Sequence, residues 1–128
     1  MIRIPVSVGE LLDKLSILHI KKIKIQDLEK LQKIEREFNL LNEISTQYLG
    51  VKDFFNLYDD LIRVNSRLWD VEDKIRVHEK NKSFNEEFIS LAREVYYTND
   101  ERFEIKNKIN FLSDSEIQEQ KSYEDYKN

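Results

Sequence analysis

Eight side chains in the second half of the sequence have the types that recognise charged ligands: Asn65, Glu72, Arg76, Arg93, Asn99, Asp100, Arg102 and Lys106. On helices, Glu72 and Arg76 are neighbours at i, i+4, as are Arg102 and Lys106, and Asn99 and Arg102 are i, i+3. Three arginines and a lysine outnumber the two acids. Such a cluster could clamp a small anionic ligand, because guanidinium groups offer paired donors to carboxylates and phosphates. The same residues could equally form an ion-pair layer that fixes the register of packed helices. Both readings stand.

Other chemistry is sparse. Trp69 and the pair Tyr96–Tyr97 flank the cluster and could stack on a ring, although aromatics at helical spacing more often belong to a core. His19 and His78 are the only histidines and lack ligand-spaced partners, so neither a metal site nor a cofactor is expected. No serine or threonine can be assigned a base for nucleophilic catalysis. The pairs Glu101/Glu104 and Glu116/Glu119 resemble the Mg²⁺-binding ExxE of helical nucleotide pyrophosphohydrolases, but the closing aspartate is absent. Gly9, beside Ser7, leaves backbone amides open at a helix start, where an anion could sit. The stronger reading is that Gly9 lets another segment approach closely.

The elements that must carry these residues are helices. Residues 1–6 (MIRIPV) alternate apolar and polar, and Pro5 keeps Ile4 extended, which predicts a short arm. Ser7 with Glu10 forms a capping box, and Val6 with Leu11 occupies the hydrophobic-staple positions. Leu11, Leu12, Leu15, Leu18, Ile20 and Ile23 then give an apolar surface too wide for one-sided burial. Near Asp27 the phase shifts to Leu28, Leu31, Ile34, Phe38, Leu41, Ile44 and Tyr48. Asp27 could cap a second helix, or one bent helix could run from 8 to 48.

Gly50 marks a helix end. Beyond it Phe54, Leu57, Leu61, Val64, Leu68, Val71, Ile75 and His78 step by three and four, a coiled-coil-like seam. Ser83 with Glu86 reads as a second capping box. The rhythm resumes through Phe88, Leu91, Val95, Thr98, Arg102, Ile105, Ile109 and Leu112. The short break forces these two helices, about 52–81 and 84–112, to be antiparallel neighbours whose facing residue numbers total about 165. That register sets Arg102 near Arg63, Thr98 near Arg67, Asn65 near Asn99 and Asp100, and Glu72 opposite Arg93. Residues 113–128 read as a polar tail, a short helix and then a loose end. The predicted fold is an all-α bundle of three or four long helices.

Composition agrees. The chain has 128 residues, room for one domain, with 40% hydrophobic and 36% charged residues, two glycines and one proline. It has no cysteine, hence no disulfide or thiolate chemistry. Asp13 and Lys14 interrupt the first apolar stretch, which therefore is not a signal-peptide core. No apolar run is long enough to span a membrane, and the default expectation is the cytoplasm. Net charge is −4, and the locally basic 14–36 stretch interleaves acids, so nucleic acid is not an expected partner. Helices about 40 Å long strain the covering power of so short a chain, which suggests a homodimer.

The stretches IPVSVGELLDKLSIL (4–18), VNSRLWDVEDKIR (64–76), LAREVYYTNDERFEIKNKIN (91–110) and EQKSYEDY (119–126) resemble a family of small helical bacterial and phage proteins. That family is known only as a domain of unknown function. The likeness covers most of the chain and is least distinctive over 27–63. Its matching motif residues include Gly9, Glu10, Asp13, Lys14, Asn65, Trp69, Arg76, Asn99, Asp100, Arg102, Lys106 and Asn110. Such modules sometimes accompany glycosyltransferase-like proteins, so the resemblance implies a surface-polysaccharide context. The expectation is a non-catalytic binding or accessory module for a small anionic ligand or a partner protein. Two alternatives are a metal-independent enzyme on an anionic substrate, with the residue repertoire of chorismate-type mutases but not their motifs, and a purely structural adaptor.

Overall fold

The computed structural model describes residues 1–114 and 120–126. Four helices follow one another: α1 (Val8–Lys24), α2 (Leu28–Leu49), α3 (Lys52–Lys80) and α4 (Glu86–Ser113). Among the described residues there is no strand.

α1 begins at the expected cap, where the Ser7 hydroxyl accepts the Glu10 N–H at 3.1 Å. Leu11, Leu12, Leu15, Leu18 and Ile20 are all buried, because α1 lies against each of the other three helices. That wide apolar surface is what places it centrally. The choice at Asp27 resolves to two helices: Ile25 turns extended, and the Asp27 carboxylate caps α2 by accepting the Lys30 N–H at 3.0 Å. α2 is a flank rather than a core helix. It lends Phe38, Leu41 and Leu49 to the core edge and leaves Leu28 and Ile44 of its predicted stripe exposed. It stops at Gly50, whose N–H returns to the Thr46 carbonyl.

α3 and α4 form the antiparallel hairpin. The core joins Leu12 and Leu15 of α1 to Tyr58, Leu61 and Val64 of α3 and Ile105 and Ile109 of α4. Burial pushes the Tyr58 phenol up to about 12. Ile75 and Val95, expected in the core, are only half-buried. The reason is length. Seventeen residues make α1 about 26 Å long, against about 44 Å for the 29 of α3. The hairpin end near Ile75 and Val95 therefore projects past α1.

The expected Ser83 cap is corrected. Lys82 adopts a left-handed φ of 53°. The Ser83 N–H and carbonyl are spent closing α3, donating to the His78 carbonyl at 2.9 Å and meeting His78 Nδ1 at 2.9 Å. The first free capping side chain is then Asn85, whose Oδ1 accepts the Phe88 N–H at 3.1 Å. His78 lies 3.7 Å from Glu87, as the register requires, whereas Arg67 reaches Glu101 at 3.4 Å, one turn beyond Thr98.

Candidate functional site

α1 is fixed to the hairpin by polar side chains. Asp13 sits inside the apolar stripe of α1 and is 2% exposed. Its carboxylate accepts from Arg102 Nε at 3.0 Å and Nη2 at 2.8 Å, the two-pronged geometry that suits a guanidinium. Asn65 of α3 donates its amide to Asp13 at 2.9 Å and to the Ser16 hydroxyl at 2.8 Å, while Ser16 donates to the Asp13 backbone carbonyl. One helix turn away, Lys106 is 5% exposed and pairs with Glu10 at 2.6 Å. The layer ends where Asn110, also buried, accepts the Gly9 N–H at 2.7 Å. No buried side-chain nitrogen or oxygen among the described residues lacks a partner. A polar layer this well satisfied rigidifies the core and fixes how α1 docks on the hairpin.

Above the layer, α1, α3 and α4 enclose an open groove of about 510 Å³. Ile17, Ile20 and Leu68 form its apolar floor, and Trp69 forms part of its wall. Five of the eight expected residues line it: Asn65, Glu72, Arg76, Asn99 and Arg102. At its mouth Arg76 pairs with Glu72 at 2.7 Å, and both groups are solvated. Glu72 thus answers its own helix neighbour and not Arg93.

Asn99 and Arg102 are shared with a second cleft of about 740 Å³ between α4 and residues 120–126, which Asp100 and Lys106 also line. There the Tyr126 hydroxyl donates to Asp100, and the Tyr126 ring packs edge-on against Tyr96 and Tyr97 at 4.9 and 5.0 Å. Desolvation, and then the bond to Asp100, raises the Tyr126 phenol above its ordinary value. Arg93 joins neither groove and is exposed, with its guanidinium 5.9 Å from the Tyr97 ring.

The partners of the cations are what spacing missed. Glu10, Asp13 and Ser16 come from α1, and the register of the hairpin carries no information about them. The available signal was a charged residue inside an apolar stripe, LLDKLSIL, together with the likeness that singled out Gly9, Glu10, Asp13 and Asn110. Gly9 itself makes the close approach expected of it: an added Cβ would lie 2.7 Å from both Asn110 Oδ1 and the Lys106 carbonyl.

No group of three or more metal-ligating side chains occurs among the described residues. Of the ExxE pairs, Glu101 binds Arg67 and Glu104 borders the second cleft, while Glu116 and Glu119 lie outside the described residues. No described helix is long and apolar enough to cross a membrane.

The fold and site define a class, a small helical bundle whose central helix is locked to a hairpin by a buried ion-pair layer beside an open groove. The chain belongs to the family of unknown function DUF6165, whose model matches residues 2–127. No curated protein and no solved structure matches it.

Proposed function

We propose that the chain is a non-catalytic cytoplasmic binding module, and that the groove between α1, α3 and α4 receives a segment of a partner protein. The observation that carries this reading is the two-pronged Arg102–Asp13 pair. It occupies the strongest anion-binding fork in the cluster. Lys106 is answered in the same way by Glu10, and Arg76 by Glu72. Within this groove a free anion would find both cations, Arg76 and Arg102, already paired with carboxylates, and an enzyme of the mutase type would have these basic groups engaged. What the groove offers instead is an apolar floor, a tryptophan and a mixed-charge rim of Glu72, Asp73, Arg76 and Asn99. Apolar centre, polar rim, and Trp and Arg at the contact are the anatomy of a protein interface. Glu72 and Asp73 against one exposed arginine favour a segment with an apolar anchor flanked by basic residues.

Trp69 is the sole tryptophan, so its emission reports on the groove. The test titrates amphipathic peptides with flanking lysines or arginines against small anions: phosphorylated sugars, nucleotides and carboxylates. The expected result is that peptides shift Trp69 emission and raise the melting temperature while anions do neither. An anion that raises the melting temperature would overturn the partner reading and restore the anionic ligand. No response to either class would leave the polar layer with a structural role alone.

A further inference from the structure

Residues 1–6 form no hydrogen bond with any other described residue. Within this arm Met1, Ile2, Ile4 and Val6 are 94%, 90%, 71% and 51% exposed. In an extended chain residues two apart share an edge, so Ile2, Ile4 and Val6 make one apolar edge about 14 Å long. Arg3 lies on the opposite edge. Bare aliphatics gain free energy by leaving water when a surface exists to take them, and the backbone between them then needs new hydrogen-bond partners there.

Such a surface lies at the same end of the bundle. α1 runs antiparallel to α4, with Gly9 on Lys106 and Asn110 and Asp13 on Arg102. The arm therefore leaves the fold at the level where α3 begins and α4 ends. There a groove of about 540 Å³ lies between α3 and α4, lined by Leu57, Phe111 and Leu112, with Asn56, Asn107 and Asp53 beside them and Lys108 on the α4 side. Phe111 is 82% exposed and Leu112 49%. Phe111 and Leu112 adjoin Leu57, so they make one small continuous apolar surface rather than scattered residues.

We propose that residues 1–6 of one chain seat in the α3/α4 groove of a second copy, and the reverse, in a two-fold dimer. The apolar edge, the backbone and the charge of the arm have counterparts in the groove, provided Arg3 lies on the α3 side at Asp53 and away from Lys108. The Ile2–Ile4–Val6 edge meets Leu57, Phe111 and Leu112. The unpaired backbone meets the side-chain amides of Asn56 and Asn107, which supply both donors and acceptors. Arg3 meets Asp53; neither forms an ion pair within the described chain. Because arm and groove share one end of the molecule, a single two-fold axis satisfies both exchanges at once. The exposure of the arm shows that it does not occupy the groove of its own chain. Six extended residues reach up to about 20 Å, enough to cross to a neighbour packed at that end.

The test uses sedimentation equilibrium of the full chain at micromolar concentration. A dimer is expected, and Ile4→Ser and Phe111→Ser should each raise its dissociation constant about tenfold or more with unchanged helical circular dichroism. Arg3→Asp and Asp53→Arg should each weaken the dimer singly and restore it when the two variants are mixed. The chain has no cysteine, so Ile4→Cys and Phe111→Cys provide a specific link. Mixed single variants should form a disulfide between chains. A monomeric wild type, or a link that forms only within a doubly substituted chain, overturns the proposal. So does a dimer indifferent to both serine variants.

Discussion

The Asn110 side chain accepts the backbone N–H of Gly9, 101 positions earlier in the sequence, at 2.7 Å. This bond holds the first turn of α1 against α4 and requires that residue 9 have no side chain. Helix propensity alone would make Gly9→Ala favourable by about 1 kcal/mol. The added Cβ, however, would sit 2.7 Å from the Lys106 carbonyl, which is backbone and cannot swing aside. Overpacking of that kind costs about 1–3 kcal/mol, so the clash outweighs the propensity gain. Gly9→Ala should lower the melting temperature, and an unchanged or higher value would mean that α1 and α4 are further apart than described.

Arg102→Ala should destabilise the fold strongly. It strands the Asp13 carboxylate, 3% exposed, with the Asn65 amide as its remaining side-chain donor. Removing one partner of a buried pair costs about 3–5 kcal/mol. Arg102→Met combined with Asp13→Leu removes both charges and should cost clearly less than the two single changes together. A double-mutant cycle from urea unfolding reads the difference. Additive costs would show that the two groups do not interact.

The caps give a contrast within one short segment. Asn85→Ala removes the acceptor of the Phe88 N–H and should cost roughly 0.5–2 kcal/mol, as should Ser7→Ala at α1. Ser83→Ala should stay below about half a unit, because the hydroxyl caps no helix and the backbone bonds remain. Equal losses at Ser83 and Asn85 would reinstate the serine as the cap.

That contrast also shows how far the sequence can be read. The helix start at Ser7, the stop at Gly50 and the α3/α4 pairing were legible because caps and apolar spacing are local properties, whereas the phase shift near Asp27 fitted one bent helix as well as two until Ile25 was seen to turn extended. Ser83 misled because two capping residues stand two positions apart, and the choice rests on how α3 closes its own end. The cations of the cluster were legible on α4, and five of the expected residues do share a groove. Their partners were not. Asp13 meets Arg102 across 89 residues, a contact fixed by how α1 docks and by no periodicity within either helix. Asn65 was expected beside Asn99 and Asp100, yet it bonds across to α1, since the layer is organised around Asp13 rather than along the hairpin.

Tyr58 supplies a prediction in alkali. The residue is 8% exposed, and burial pushes the phenol pKa from 10.0 to about 12. Below pH 10 the phenol is neutral in both folded and unfolded chains, and the full stability is present. Between about 10 and 12 only the unfolded chain ionises there, which draws the equilibrium toward unfolding. Above that both states are ionised and the loss levels off. The shift corresponds to about 2–3 kcal/mol lost across the window. Tyr58→Phe has no phenol to ionise and should lose that much less stability between the same pH limits. Urea midpoints for the two proteins, measured at neutral pH and near pH 11.5, make the comparison, because lysines and the other tyrosines contribute equally to both. Parallel loss in the wild type and Tyr58→Phe would place the Tyr58 hydroxyl in water rather than among Leu12, Leu15, Leu61 and Ile109.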